Sequence, residues 1–160
     1  MASSYSVAPV QSELKMTLYN KEVYSGRGIN GVTTLVNGGP IGTTWVFSWP
    51  VTDGPPGGAD ANIVGHLQGT GVQVATSPNY VWHYSLGLVF GQKSRFNGST
   101  LQIQGTSQIN GEWSIVGGTG ELTMAKGTVK RTEISYMGNT RISELNIHVS
   151  GNTGCKFLET

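Results

Sequence analysis

Alternation of apolar and polar residues along the chain predicts β-strands. In the segment 13–24, Leu14, Met16 and Leu18 alternate with Lys15 and Thr17, and a period of two is typical of a strand with one buried face. The same register places Asn20 and Glu22 on the apolar side. A carboxylate at the end of an inward-facing row either reaches the mouth of a barrel or lines a pocket, because an isolated buried charge is costly.

Strand patterns recur along the rest of the chain at a spacing of roughly ten residues, with Gly, Pro and Asn between them. No stretch has the pattern of an amphipathic helix of about ten or more residues. The segments are 43–49, 61–76, 80–90, 100–105 and 140–150, with hairpin signals at Asn97-Gly98 and Asn110-Gly111. These features predict an all-β protein, an antiparallel β-barrel of about eight strands, since a closed sheet leaves no long edge exposed. A β-sandwich is the alternative.

The segment 115–127 (IVGGTGELTMAKG) predicts the tight corner of this sheet. Its glycines suit a backbone that reverses in little space, and a strand is predicted over 122–129. A phosphate-binding loop is the alternative. Such a loop requires an amphipathic helix after the glycines and a lysine and Ser/Thr at fixed spacing, and the sequence has neither.

Length and composition predict one domain with a single core. The chain has 160 residues, 12% charged residues and a formal net charge of +1, so neither nucleic acid nor an anionic membrane is indicated as a partner. We expect a loose N-terminal segment at 1–11, a barrel domain at 12–151, and a polar tail or linker at 152–160.

The cysteine and histidine content predicts no metal or cofactor. Cys155 is the single cysteine and cannot form an intrachain disulfide. His66, His83 and His148 fall on different predicted strands without metal-ligand spacing. The N-terminus lacks the basic and apolar regions of a signal peptide, which predicts a cytoplasmic protein, and Asn97-Gly98-Ser99 is then interpreted as a turn and not a glycosylation site.

Several motifs in order resemble the plant dirigent family. These are WPVTDGP at 49–55, IVGHLQG at 63–69, NGSTL at 97–101, VGGTG at 116–120 and MAKG at 124–127. The likeness extends from about Leu14 to Val149. It implies an eight-stranded barrel, usually trimeric, whose secreted members steer the coupling of two phenoxy radicals or assist quinone-methide closure. A closer likeness is to the dirigent halves of cereal chimeric proteins, which implies a fused jacalin-type lectin domain and a role in plant defence and disease resistance.

The resemblance also assigns site positions. The family's acidic residue at the end of the first strand corresponds to Glu22, the acid before VGGTG to Glu112, and the arginine of its FARG motif to Lys126. Its paired acids before the PLTEG motif correspond to Ser48 and Trp49, and its pocket tyrosine to Gly71 or Val72, so these groups are missing. A pocket without them is expected to have lost most of its acid–base groups.

The resulting functional prediction is a non-catalytic module that binds a carbohydrate, of galactose type or another plant or fungal oligosaccharide, at the barrel mouth. A sugar needs a flat aromatic ring beside fixed donors and acceptors, and the predicted ligand-binding residues are Trp49, Asp53, Glu22, Glu112 and Lys126. For each a structural role is the alternative: a core cap for Trp49, an Asx-turn for Asp53, a mutual ion pair for Glu112 and Lys126, and a solvated strand end for Glu22.

Two other functions stay open at this point. One is a dirigent protein that steers stereoselective phenoxy-radical coupling in lignan or lignin biosynthesis, with Glu22, Glu112 and Lys126 as its active groups. The other is an interaction module with a vestigial pocket. Trp82 and Tyr84 are interpreted as trimer-interface or core aromatics. The expected partners are an oligosaccharide or small phenolic ligand and two further copies of the chain.

Overall fold

The structure is a computed structural model that describes residues 12–30, 33–37, 39, 41–77, 80–107 and 110–151. These residues form strands joined by tight turns and one short 3-10 turn. The strands are β1 (Ser12–Val23), β2 (Thr33–Val36), β3 (Thr44–Thr52), β4 (Ile63–Ala75), β5 (Val81–Phe90), β6 (Thr100–Thr106), β7 (Glu112–Thr119), β8 (Lys126–Met137) and β9 (Thr140–Gly151). The predicted N-terminal segment and tail lie outside the described residues.

Eight of the strands close into an antiparallel barrel. Hydrogen-bonded neighbours follow the order β1-β9-β8-β7-β6-β5-β4-β3, and β3 returns to β1 through the pairs Tyr19 with Thr52 and Asn20 with Val51. The short strand β2 pairs with the free half of β3. This arrangement confirms the predicted eight-stranded barrel over the sandwich. In the part of the chain that the structure describes, no helix has the length and hydropathy needed to cross a membrane.

The two ends of the barrel differ in what they carry. At one end Val23 of β1 pairs with Thr140 of β9, and we call this end the mouth. At the other end, the base, Ser12 pairs with Gly151. Strands β3 and β5 begin at the mouth, whereas β8 begins at the base, where Lys126 pairs with Ser150.

The barrel interior is filled by the inward rows that alternation predicts. In β5 every second residue from Tyr84 onward is buried, namely Tyr84, Leu86, Leu88 and Phe90. In β1 the inward row changes from apolar to polar toward the mouth, because Leu18 is followed by Asn20 and Glu22, both fully buried. The core therefore closes the base, and polar groups lie beneath the mouth.

The corner at 115–127 contains a correction. The strand predicted over 122–129 begins only at Lys126, and Gly120–Leu122 forms a 3-10 turn instead. Leu122 is fully buried and plugs the base of the barrel. A Cβ at Gly118 would lie 2.2 Å from the carbonyl oxygen of Leu122, so the chain can fold over itself here only with glycine at that position.

Candidate functional site

A cavity of about 340 Å³ opens at the mouth of the barrel. Its walls are mainly aromatic, and its remaining polar groups are two arginines and a serine. The lining residues are Tyr24, Trp45, Tyr80, Trp82, Tyr84, Ser107, Arg131, Tyr136 and Arg141. The volume lies within the usual range for small-molecule sites, so this cavity is the candidate site.

The aromatic wall is rigid because its rings pack on one another. Trp45 of β3 and Trp82 of β5 stack with their ring centroids 4.1 Å apart. Tyr84 meets Phe47 edge to face at 5.6 Å and Trp113 at 5.8 Å. The ring of Tyr84 packs directly against Gly71, where there is no side chain. A Cβ at that position would lie only 2.7 Å from the ring. The wall therefore presents flat apolar surfaces at fixed positions.

Glu22 lies directly beneath the cavity floor, which Tyr24 and Arg131 form, and it is 1% exposed. Its Oε1 accepts hydrogen bonds from Arg131 Nη2 at 2.6 Å and from Asn20 Nδ2 at 2.9 Å, and its Oε2 accepts one from the Tyr24 hydroxyl. Arg131 is fixed in turn by a hydrogen bond from Nε to Ser143 Oγ. A buried carboxylate persists only with such a cation and donors around it.

Arg141 forms the side of the cavity, because the β1–β9 register places it opposite Glu22. Its Nη1 donates to the Tyr24 hydroxyl at 2.7 Å, and its Nε lies 2.7 Å from Glu133 Oε2. The guanidinium also lies 5.4 Å from the ring of Tyr24 and 5.2 Å from that of Tyr136. Two arginines and two glutamates thus form one charge-balanced cluster.

Two tyrosines of the cavity are held in their neutral form. Burial, followed by the charge of Glu22, raises the pKa of Tyr24 far above the ordinary value of 10. Burial, with a smaller effect of Glu22, raises the pKa of Tyr84 to about 12. Both hydroxyls are therefore proton donors over the whole physiological range.

These shifts predict late ionisation of two of the six tyrosines. In a titration followed by phenolate absorbance, we expect a component at or above pH 12 that the Tyr24→Phe/Tyr84→Phe variant lacks. The folded chain keeps these protons longer than the unfolded chain. The associated stability is therefore fully present below pH 10 and declines as the pH rises above it. Identical titration curves for the two proteins would contradict this assignment.

Apart from the tyrosine and serine hydroxyls of the lining, which can donate or accept, the charged cluster leaves donors facing the cavity. Both oxygens of Glu22 accept bonds from protein groups. Among the described residues, no partner is present for Arg131 Nη1, Arg141 Nη2 or the Tyr84 hydroxyl. These groups can donate hydrogen bonds to an acceptor atom in the cavity.

The structure does not bring the predicted ligand-binding residues together. Glu22 lies beneath the cavity floor, bonded to the lining residues Tyr24 and Arg131. Trp49 faces inward one layer deeper, 2% exposed and stacked on Phe47 at 3.9 Å, which is the core-cap alternative. Its distance to the Tyr84 ring is 6.2 Å, so it supports the wall from behind.

The other three predicted residues lie away from the cavity. Asp53 is at the base, where its Oδ1 accepts the backbone N–H of Asn62 at 2.8 Å. This bond joins the two ends of the Gly/Pro loop and is not the Asx-turn given as the alternative, because the residue two positions on is Pro55, which has no N–H. Lys126 is exposed at the base. Glu112 is on the outer face opposite Lys130, so the proposed Glu112–Lys126 pair is wrong. Whether any of these residues binds a ligand stays a prediction.

The cavity residues that sequence reasoning missed are aromatic and cationic. Tyr84 belongs to the core and Trp82 packs against it, as the core interpretation expects, and both also line the cavity. Nothing in the sequence pattern marks Tyr24 or Arg141 as a site residue. Arg131 could have been predicted from the sequence. It follows Val129 on the inward row of β8, and the buried carboxylate of Glu22 requires a cation nearby. Among the described residues, no group of three His, Cys, Asp or Glu side chains is placed to hold a metal ion.

Comparison with known proteins agrees with this architecture. The family model described as dirigent-like protein matches residues 13–150, and the chain belongs to the dirigent family. No protein among the curated sequences matches significantly.

Three solved structures illustrate the likeness. The pterocarpan synthase dirigent protein GePTS1 has a TM-score of 0.76 and 26% identity, over 92% of this chain and 88% of that one. The pterocarpan synthase dirigent protein PsPTS1 has a TM-score of 0.74 and 25% identity, over 86% and 94%. A pyocyanin demethylase has a TM-score of 0.56 and 18% identity, over 84% and 99%, and shares the fold alone.

Proposed function

We propose that this dirigent protein binds a phenolic compound in the mouth cavity and steers its stereoselective coupling or ring closure. The observation that carries the proposal is the pairing of flat aromatic walls with a floor of unused donors. A phenolic ring packs on Trp45 and Trp82, and its oxygen accepts from Tyr84 or an arginine. One face of the ring is then covered by protein, so a second reactant can approach only the other.

Family membership supports the proposal in general terms. Dirigent proteins are in general not catalysts, whereas two similar structures are named synthases. In the proposed role the chain forms no radical itself. A separate one-electron oxidant removes an electron and a proton from each phenol, and two radicals then combine in a new carbon–carbon bond while one is held in the cavity.

The carbohydrate prediction has weaker support from the cavity. A sugar hydroxyl donates as well as accepts, and the carboxylate oxygens of Glu22 and Glu133 are already engaged with arginines. The expected trimer, the fused lectin domain, the defence role and the cytoplasmic location stay predictions.

The proposal is tested by oxidising coniferyl alcohol with a one-electron oxidase in the presence of the protein. We expect an excess of one enantiomer among the coupled products, measured by chiral chromatography. Racemic products with this and other monolignols would contradict the coupling role. Binding of galactose-type oligosaccharides on a glycan array, with racemic coupling products, would favour the carbohydrate role.

Removing the Tyr84 hydroxyl is expected to lower the affinity for a phenolic ligand selectively. Tyr84→Phe removes one donor from the cavity and leaves the ring packing intact, so the Kd for a phenolic ligand should rise about two- to tenfold. Calorimetry with coniferyl alcohol measures the change. Tyr19→Phe is the matched control, because the Tyr19 hydroxyl lies outside the cavity and donates to Glu144 at 3.3 Å. Equal effects of the two substitutions would contradict the assignment of Tyr84 to the site.

A further inference from the structure

The mouth is bordered by exposed hydrophobic side chains. We call six of them the apolar rim: Leu35, Ile41, Val74, Tyr80, Tyr136 and Met137. Each is at least 45% exposed. Tyr80 and Tyr136 also line the cavity, so the rim continues directly into it. Clustered exposed apolar groups of this kind mark interaction surfaces.

The charges at the same end are not balanced. Lys21, at the end of β1, and Arg27, in the loop that follows, are exposed cations. Of the acidic groups nearby, Glu22 and Glu133 are ion-paired with Arg131 and Arg141, and Glu144 accepts hydrogen bonds from Tyr19 and Asn146. Among the described residues the mouth therefore carries more cations than acids, with Lys21 and Arg27 exposed beside the apolar rim.

The base has a different character. It carries exposed acids, among them Glu13, Asp53 and Glu121, together with the exposed cations Lys93, Arg95 and Lys126. The net charge of +1 for the whole chain conceals this difference between the two ends. The small net charge of the whole chain therefore does not show how charge is distributed at the mouth.

We propose that the mouth docks on an anionic lipid surface, with the apolar rim inserted among the acyl chains and Lys21 and Arg27 at the headgroups. Apolar and aromatic side chains flanked by cations are the physical requirements for interfacial binding. The cations Lys21 and Arg27 beside the rim favour anionic lipid over a second copy of the mouth, because two like-charged surfaces repel. An apolar ligand dissolved in the bilayer could then enter the cavity without crossing water.

The inference is independent of which ligand the cavity holds, and it is tested with vesicles. The full chain is mixed with vesicles of phosphatidylcholine, with and without about one third phosphatidylserine, and binding is measured by flotation. We expect binding to the anionic vesicles. Lys21→Gln and Arg27→Gln should each lower the partition coefficient about fivefold, and Leu35→Ser with Met137→Ser should lower it by at least roughly tenfold.

Matched substitutions at the base serve as controls. Lys93→Gln and Lys126→Gln, each made singly, remove the same charge as one mouth substitution, and Met124→Ser removes a methionine that is 66% exposed, against 70% for Met137. None of the three should change vesicle binding. Circular dichroism confirms that each variant is folded. No flotation, equal losses from mouth and base variants, or a dimer in analytical ultracentrifugation that Met137→Ser dissociates would overturn the proposal.

Discussion

Replacing Arg131 with methionine is expected to lower the free energy of unfolding by about 3–5 kcal/mol, the usual cost of leaving a buried charge without its partner. Arg131 Nη2 lies 2.6 Å from Glu22 Oε1, and both side chains are almost fully buried. Methionine fills a similar volume but offers the carboxylate no cation. Urea unfolding measures the change.

Two variants separate the lost ion pair from lost packing. Arg95→Met makes the same substitution at a half-exposed ion pair, where Arg95 and Glu121 are 4.0 Å apart, and it should cost less than about 1 kcal/mol. The double variant Glu22→Gln/Arg131→Met removes both charges and should recover part of the loss. If the double variant is as unstable as Arg131→Met, the cost comes from packing and not from the charge of Glu22.

Much of the fold could be predicted from alternation alone. The inward row of β1, including the buried Asn20 and Glu22, and the inward row of β5 both follow from a period of two. The corner near Gly118 could be located from its glycines. The start of β8 could not be predicted in this way. Leu122 lies in a 3-10 turn and fills the interior at the base, and the shape of the closed barrel determines that position.

The cavity could be predicted only in part. Glu22 can be predicted to face inward, because alternation from Leu14 along β1 places it on the buried face. Arg141 could not be found in this way, because its position depends on the register between β1 and β9, which places it opposite Glu22. Register between strands distant in sequence is set by closure of the whole sheet.

The resemblance to the family assigned positions by motif, and motifs do not state the direction of a side chain. Glu112 has the expected identity but faces outward, and Lys126 lies at the opposite end from the cavity. The expectation that the cavity has lost most of its acid–base groups also rested on motif positions alone, without the directions of the side chains. Ser48 faces outward, where its hydroxyl accepts a bond from Gln68, while Glu22, Tyr24 and Tyr84 supply ionisable groups at the cavity.

The cluster at the floor links stability to function. Tyr24 bridges Glu22 and Arg141, so it holds the floor and the side of the cavity in one arrangement. A ligand that accepts from the remaining nitrogens meets donors whose positions are already fixed. Preorganisation of this kind favours one binding orientation, which is the requirement for stereoselective coupling in the proposed function.

Gly69→Ala is expected to destabilise the barrel by about 3 kcal/mol or more, because a side chain there meets backbone that cannot move alone. A Cβ at Gly69 would lie 2.1 Å from the carbonyl oxygen of Ser85 and 3.1 Å from the Cα of Leu86. Relief requires β4 and β5 to separate in the middle of their ladder. Gly87→Ala is the matched control on β5, since its nearest neighbours would be 3.9 Å away, and it should change stability by less than about 1 kcal/mol. Thermal unfolding of the two variants measures the difference, and a Gly69→Ala variant as stable as Gly87→Ala would show that the two strands are not held this closely.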